Sequence, residues 1–237
     1  MGVHPKESRG RPQTSSVFIA LWLLHKRPIL EKQPTPAATL HNYIIIMKEV
    51  HTMQCGDYTY RAIDTGAEIM EYYGQGGEIN LPETLDSLPV VSVGLCAFIM
   101  RTDLTAVTLP KTLRHIGGSA FEGCSALTSI TLNDGLETIE YRAFASCTAL
   151  REVVFPDSVT AVGGAVLSGC TALNSVHLPN ALTVLPMQAL MNCTSLEFLN
   201  LPDTLTRIDH EALRGCTHLM ALAIPASVRE IGHDALT

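Results

Sequence analysis

The sequence lacks a long apolar run. A membrane-spanning helix needs about 18–20 consecutive apolar residues, and the strongest candidate, VFIALWLL at residues 17–24, is far shorter. Basic residues precede this run, as in a signal peptide, but Lys26 and Arg27 follow it at once and no small-residue cleavage site comes next. We therefore expect no integral membrane segment, and export and a cytoplasmic location both stay open.

Aromatic and charged side chains are also scarce, at 5% and 16% of the residues, whereas 46% are hydrophobic. This composition excludes a disordered tail and predicts a core built in many small layers of Leu, Val, Ile and Ala. Residues 1–50 hold 7 Lys/Arg and 3 Asp/Glu, and residues 51–237 hold 9 and 20. An acidic body is repelled by phosphate backbones, so we expect no nucleic-acid partner.

The common signatures of catalytic and cofactor sites are missing as well. There is no G-x-S-x-G or H-E-x-x-H motif, and glycine pairs such as Gly117 and Gly118 lack the Lys of a phosphate loop. The segment HEALRGCTH at residues 210–218 has no recognised spacing of metal ligands. We expect a protein that is not an enzyme and that holds no cofactor and no metal.

What the sequence does have is an internal repeat. Starting at Leu104, five segments of 23 residues follow one another, and a sixth begins at Leu219 and has 19 residues. A degenerate copy, INLPETLDSLPVVSVGLCAF, spans residues 79–98. The full copies are LTAVTLPKTLRHIGGSAFEGCSA, LTSITLNDGLETIEYRAFASCTA, LREVVFPDSVTAVGGAVLSGCTA, LNSVHLPNALTVLPMQALMNCTS and LEFLNLPDTLTRIDHEALRGCTH.

The spacing within a copy predicts one coil of a solenoid. The opening residues alternate between apolar and small or polar, which is typical of a short strand with one buried face, and a Pro usually ends it. An L-x-x-I segment predicts a second extended stretch, and A-F-x-x-C predicts a short helical or 3₁₀ turn. A lone coil cannot bury its apolar side but stacked coils can. One buried column should contain Val107, Ile130, Val153, Val176, Leu199 and Leu222.

These motifs resemble those of the BspA-like leucine-rich repeat family, whose pattern is roughly L-x-x-[IV]-x-[IL]-P-x-x-[VL]-x-x-I-x-x-x-A-F-x-x-C. The resemblance covers residues 79–237 and implies a right-handed leucine-rich-repeat solenoid.

Upstream, GDYTYRAIDTGAEIMEYYGQGG predicts a β-hairpin with strands at 57–63 and 67–74 that caps the first coil. The expected domains are a poorly ordered leader or linker at 1–53, the hairpin at 54–78 and the solenoid at 79–237. The leader is either a weak signal or the product of a start assigned upstream of Met47.

Cysteine recurs at the same position of each copy, every 23 residues from Cys124 to Cys216. Stacked coils lie about 4.8 Å apart, which overlaps the Cα separation of a disulfide, so distance alone does not exclude bridges. Equivalent side chains in stacked coils point the same way, however, and the close C-x₂-C pairs of zinc sites do not occur. We expect each Cys to be a small buried side chain that fills one corner of its coil.

The exposed side of the strands is the candidate binding surface, because solenoids commonly bind partners through extended surfaces. The family resemblance implies a bacterial surface or secreted protein that mediates adhesion to a host or matrix, with a protein or a glycan as ligand. The alternative is an intracellular scaffold for protein–protein interaction. The last copy is not followed by a polar capping segment, so we expect this end of the solenoid either to fray or to associate end to end with a second copy of the chain. The candidate partner-binding residues are Thr108, Thr131, Glu152, Val154, His177, Phe198 and Asn200.

Overall fold

The computed structural model describes residues 52–237; the sequence-based expectations for the leader and for Met47 lie outside these residues. The described residues form sixteen short strands joined by turns. In chain order they are β1 (Met53–Cys55), β2 (Tyr58–Ile63), β3 (Gly66–Tyr72), β4 (Gly77–Asn80), β5 (Thr84–Leu85), β6 (Leu88–Val93), β7 (Leu104–Thr108), β8 (His115–Ile116), β9 (Ser129–Thr131), β10 (Thr138–Ile139), β11 (Glu152–Val154), β12 (Ala161–Val162), β13 (Ser175–His177), β14 (Val184–Leu185), β15 (Arg207–Ile208) and β16 (Glu230–Ile231).

The repeat forms a β-solenoid, as the spacing predicts. The opening strands of successive copies pair in parallel to give the sheet β4–β7–β9–β11–β13. The L-x-x-I segments form a second side, through β6, β8, β10 and β12 and then through β14, β15 and β16. Between full copies the partners are 23 residues apart, as in Val107 with Ile130 and Val153 with Val176, whereas Ile79 of the degenerate copy pairs with Val107 over a longer separation. A constant coil length therefore keeps each residue type in its own column.

The hairpin ahead of the solenoid is present in β2 and β3, which pair antiparallel from Tyr58 opposite Tyr72 to Ile63 opposite Gly66. Strand β3 then pairs in parallel with β6, so that the hairpin sheet continues into the second side of the solenoid. The guanidinium of Arg101 donates to the carbonyl oxygens of Tyr72 (2.9 Å) and Gly74 (2.8 Å). That the hairpin protects the first coil as a cap stays a prediction.

The third side of each coil is a series of hydrogen-bonded turns, and this corrects the expected helical or 3₁₀ turn. Within the coil, Glu122 N–H donates to Ser119 O (3.1 Å) and Cys124 N–H donates to Phe121 O (3.2 Å). The alternating amides leave the coil: Phe121 N–H donates to Ala143 O and Gly123 N–H donates to Ala145 O of the next coil (both 2.8 Å). A helix would keep these amides within the coil and every φ negative, whereas Ser119 has φ 53°.

A stack of aromatic rings joins the hairpin to the solenoid core. Ring centroids lie 5.0 Å apart for Tyr58 and Tyr72, 5.4 Å for Tyr72 and Phe98, 4.9 Å for Phe98 and Phe121, and 5.6 Å for Phe121 and Phe144. Such separations are those of favourable ring pairs. Beyond Phe144 the same column is aliphatic and buried, with Leu167, Leu190 and Leu213.

The strand column is buried as predicted except in the last coil. The side chains from Val107 to Leu199 are at most 8% exposed, but Leu222 is only half-buried. The neighbouring column shows the same change, because Ile208 is fully buried and its partner Ile231 is 49% exposed. In the structure this coil packs on the preceding coil alone, so its apolar side chains are less covered than those of the earlier coils. End-to-end association through this coil stays a prediction.

Replacing Phe144 by Ala should destabilise the protein far more than replacing His177 by Ala. Phe144 is fully buried between coils, and losing a buried Phe side chain costs about 3–5 kcal/mol. His177 is exposed on β13, and its replacement should change the free energy of unfolding by less than about 0.5 kcal/mol. Urea unfolding followed by circular dichroism measures both, and equal losses would contradict the inward and outward assignment.

Candidate functional site

Five of the seven candidate binding residues lie exposed on the outer side of the first sheet, and Phe198 and Asn200 continue the same positions in the coil after β13. We call this exposed surface the strand face. The candidate residues occupy two positions of the coil, on either side of the buried strand residue. Thr108 lies opposite Thr131, and Val154 lies opposite His177. Adjacent strands are about 4.8 Å apart, so equivalent side chains form two nearly continuous rows. The exposed members are Thr108, Thr131, Glu152, Val154, His177, Phe198 and Asn200.

The strand face changes in character along the solenoid. Its N-terminal half presents hydroxyl groups, among them Thr108, Ser129 and Thr131. Its C-terminal half presents large apolar groups, with Val154 53% exposed and Phe198 62% exposed, together with the polar side chains of Ser175, His177 and Asn200. One apolar member was not predicted from the sequence: Met220 is 72% exposed beside Ala221, the bridge partner of Phe198. Its position follows the first Leu of the copy, outside the strand alternation that guided the sequence prediction.

A shallow depression lies where the two halves meet. Its lining includes Thr128, Thr131, Arg151, Glu152 and Val154. The lining carries one positive group, Arg151, and two negative groups, Asp134 and Glu152. Such a depression can seat a side chain of a partner, but it encloses no volume from which water is excluded.

Carboxylates follow the strands at the corner of the coil. Asp157 accepts hydrogen bonds from Asn180 N (3.0 Å) and Asn180 Nδ2 (3.1 Å) of the next coil. These bonds, first the one from the backbone amide, lower the pKa of Asp157 below its ordinary value. Asp203 takes the same place two coils later and is also exposed. The edge of the strand face is therefore negatively charged.

The cysteine column makes a regular set of hydrogen bonds in the core. Cys124 Sγ donates to Phe98 O (3.1 Å) and Cys147 Sγ donates to Phe121 O (3.2 Å), each in the preceding coil. The thiols at Cys170, Cys193 and Cys216 repeat the bond. Burial raises the pKa of Cys124 and Cys170 to about 12, so these groups stay protonated. All seven cysteines are free.

A buried ion pair on the turn side was also missed by the sequence analysis. Glu122 accepts from Arg142 Nε (3.0 Å) and from Ser119 Oγ (2.7 Å). The side chains of Glu122 and Arg142 are only 7% and 13% exposed. The two residues are 20 apart and occupy different positions of their copies, so no repeat signal marks them. Each charge is neutralised by the other, so the pair is a contact between two coils. It does not present an unpaired acid or base.

The five histidines of residues 52–237 do not converge on a metal site. His210 Nδ1 accepts from His233 N (3.0 Å), and Cys216 of the same segment donates to Leu190 O instead. Within residues 52–237, no group of three His, Cys, Asp or Glu side chains is placed to hold a metal ion. Over the same residues, no helix has the length and apolar character needed to cross a membrane.

Comparison with known proteins identifies one family and several similar structures. The model of the BspA-type leucine-rich repeat region matches residues 91–220 and 183–237, with six copies. A leucine-rich repeat protein of T. pallidum is 34% identical with a TM-score of 0.72, over 77% of this chain and 86% of that chain. A leucine-rich cell surface protein of Faecalibacterium prausnitzii is 30% identical with a TM-score of 0.71, over 78% and 51%.

A leucine-rich repeat protein of Bacteroides ovatus is more distant, at 25% identity and a TM-score of 0.59 over 76% of this chain and 55% of that chain. The comparison with curated proteins gives no match.

The buried thiols should be unreactive in the folded protein. Cys96, Cys124, Cys147, Cys170 and Cys193 are buried, whereas Cys55 is half-buried in β1 and serves as an internal control. We expect iodoacetamide to label Cys55 first and the buried thiols only after unfolding, because the thiolate is the reactive form. Intact mass without reductant should show free thiols, and a disulfide between neighbouring coils would contradict this assignment. Cys147→Ala should cost about 1 kcal/mol, the usual net value of a hydrogen bond.

Proposed function

Since this chain belongs to the BspA-type leucine-rich repeat family, we propose that it is a non-enzymatic binding module whose strand face contacts a partner protein. The observation that carries the proposal is the exposure of Val154, on β11, and of Phe198, two coils later, on the same face of the solenoid. Neither side chain is needed to fill the core, and large apolar groups gathered on one face are typical of interaction sites. The depression beside Glu152 adds a place for a partner side chain.

A role in adhesion at the bacterial surface is the form of this proposal that the comparisons favour. The F. prausnitzii relative is described as a cell surface protein and is 30% identical to this chain. An extended surface made of many small contacts suits attachment to a host or matrix protein, since no single deep pocket is required. Glycan binding is the less favoured alternative, because stacking on sugar rings uses aromatic side chains and the seven-residue candidate set contains one, Phe198.

A scaffold inside the cell is the second candidate, and the state of the cysteines favours it. All seven are free, and unpaired thiols are typical of proteins kept in reducing compartments. The two candidates differ in location and not in the binding surface. Protease treatment of intact native cells separates them, because a surface protein is cleaved while a cytoplasmic one is protected until lysis.

Site-specific photo-crosslinking tests the strand face directly. A photoreactive phenylalanine in place of His177 should form a discrete crosslink to a partner protein when the full chain is expressed in its native cells. The matched control places the same group at Tyr141, which is 48% exposed on another side of the coil. Crosslinks from both positions alike, or from position 141 only, would contradict binding through the strand face.

A further inference from the structure

The C-terminal half of the strand face combines an apolar centre with a negatively charged border. The centre consists of Val154, Phe198 and Met220, which are 53%, 62% and 72% exposed. Phe198 bridges to Ala221 in parallel, and Met220 is the neighbour of Ala221 in the chain. Val154 lies on the same face two coils before Phe198, with His177 of the intervening coil as its strand partner. We call this area the C-terminal strand face. It is the part of the strand face where the exposed apolar groups are largest.

Four exposed carboxylates surround this apolar centre. Glu152 lies two residues before Val154 on β11, and Glu197 immediately precedes Phe198. Asp157 and Asp203 follow the corresponding strands at the corner of the coil, and both are exposed. Asp157 is held by two hydrogen bonds from Asn180, which favour its ionised form. Carboxylates thus flank the centre along the strands on both sides.

Positive charge on this surface is sparse. Most Lys and Arg side chains of the described residues form ion pairs with acids of the chain itself. Residues 52–237 contain nine Lys or Arg and twenty Asp or Glu. Six of the nine cations form ion pairs with acids of the chain itself: Arg61, Arg101, Arg114, Arg142, Arg207 and Arg214. Arg151 is exposed immediately before β11, next to Glu152, and is the cation of this surface. Four carboxylates against one guanidinium leave the C-terminal strand face with a net negative charge.

We infer that the partner of the C-terminal strand face is a cationic polypeptide segment, with Lys or Arg on both sides of an apolar residue. The inference rests on the proposed function and names the chemistry of its partner. The apolar residue covers Phe198, and the flanking cations meet the carboxylates of Glu152 and Glu197. A cation can also lie over the exposed ring of Phe198. Complementary charge selects this segment and disfavours acidic peptides, anionic glycans and nucleic acid.

Three synthetic peptides with one apolar centre and different flanks test the inference on the full chain. The flanks are Lys, Ser or Glu, and binding is measured by fluorescence anisotropy at low salt. We expect the Lys peptide to bind about tenfold more tightly than the Ser peptide, as two exposed ion pairs allow, and the Glu peptide to bind most weakly. The preference for Lys should fade at 0.5 M salt because exposed charges are screened.

Matched variants test whether the preference for the Lys peptide arises at the C-terminal strand face. Glu152→Gln with Glu197→Gln should bring the Lys and Ser peptides to within about twofold of each other, since the ion pairs that separate them are gone. Glu140→Gln with Glu230→Gln removes the same charge from exposed positions elsewhere and should leave the preference intact. Phe198→Ser should weaken the Lys and Ser peptides alike.

The outcomes separate this inference from the proposed function. Equal or tighter binding of the Ser or Glu peptide, equal effects of the two glutamate pairs, or no binding of any peptide would each overturn the cationic partner. If the crosslink from position 177 is still found, the strand face remains a binding surface for a partner of other chemistry. If the crosslink is also absent, both proposals fail.

Discussion

The structure depends on each coil lying in register on the coil before it. A single coil has apolar groups on its inner side and nothing to bury them against, so its neighbours supply most of its core. Cys147 shows how closely the coils must match, because its thiol reaches Phe121 O of the preceding coil at 3.2 Å. The last coil shows the cost of a missing neighbour, since Ile231 is 49% exposed where Ile208 is fully buried.

The same register explains why the strand face is free to serve binding. Backbone groups of the strands are bonded between coils, and the inward side chains fill the core. The outward side chains are therefore not needed for packing of the core. One outward position of the coil is occupied by Thr131, Val154 and His177 in successive copies. Function can vary there by substitution while the solenoid stays the same. Affinity must come from many small contacts, because the face encloses no deep cavity.

Much of the fold follows from the sequence because the signal is repeated. The alternation around Val107 and the 23-residue spacing of Cys124 and Cys147 were enough to predict the sheets, the buried columns and the exposed face. The turn side was predicted incorrectly for a physical reason. A-F-x-x-C fits one turn of a 3₁₀ helix when a coil is considered alone, but Phe121 N–H bonds to Ala143 O only when the next coil is present.

Other features leave no mark in the repeat. The Glu122–Arg142 pair joins unlike positions of two copies, so it is visible only in three dimensions. Met220 is exposed at the position after the first Leu of the copy, which the alternation of the strand does not include. The thiol bonds depend on a carbonyl 26 residues earlier, and the sequence shows the Cys column but not its acceptors. Interactions between coils are thus the part that sequence spacing does not determine.

Deleting parts of the repeat tests the requirement for register most directly. Removal of residues 127–149, one complete coil, should leave cooperative thermal unfolding and a native circular dichroism spectrum, because every column closes again in register. Removal of residues 127–138 deletes fewer residues but leaves half a coil out of register, with Ile139 and Phe144 displaced from their columns. The account predicts a lower melting temperature and broader unfolding for the shorter deletion. A shorter deletion at least as stable as the longer one would contradict it.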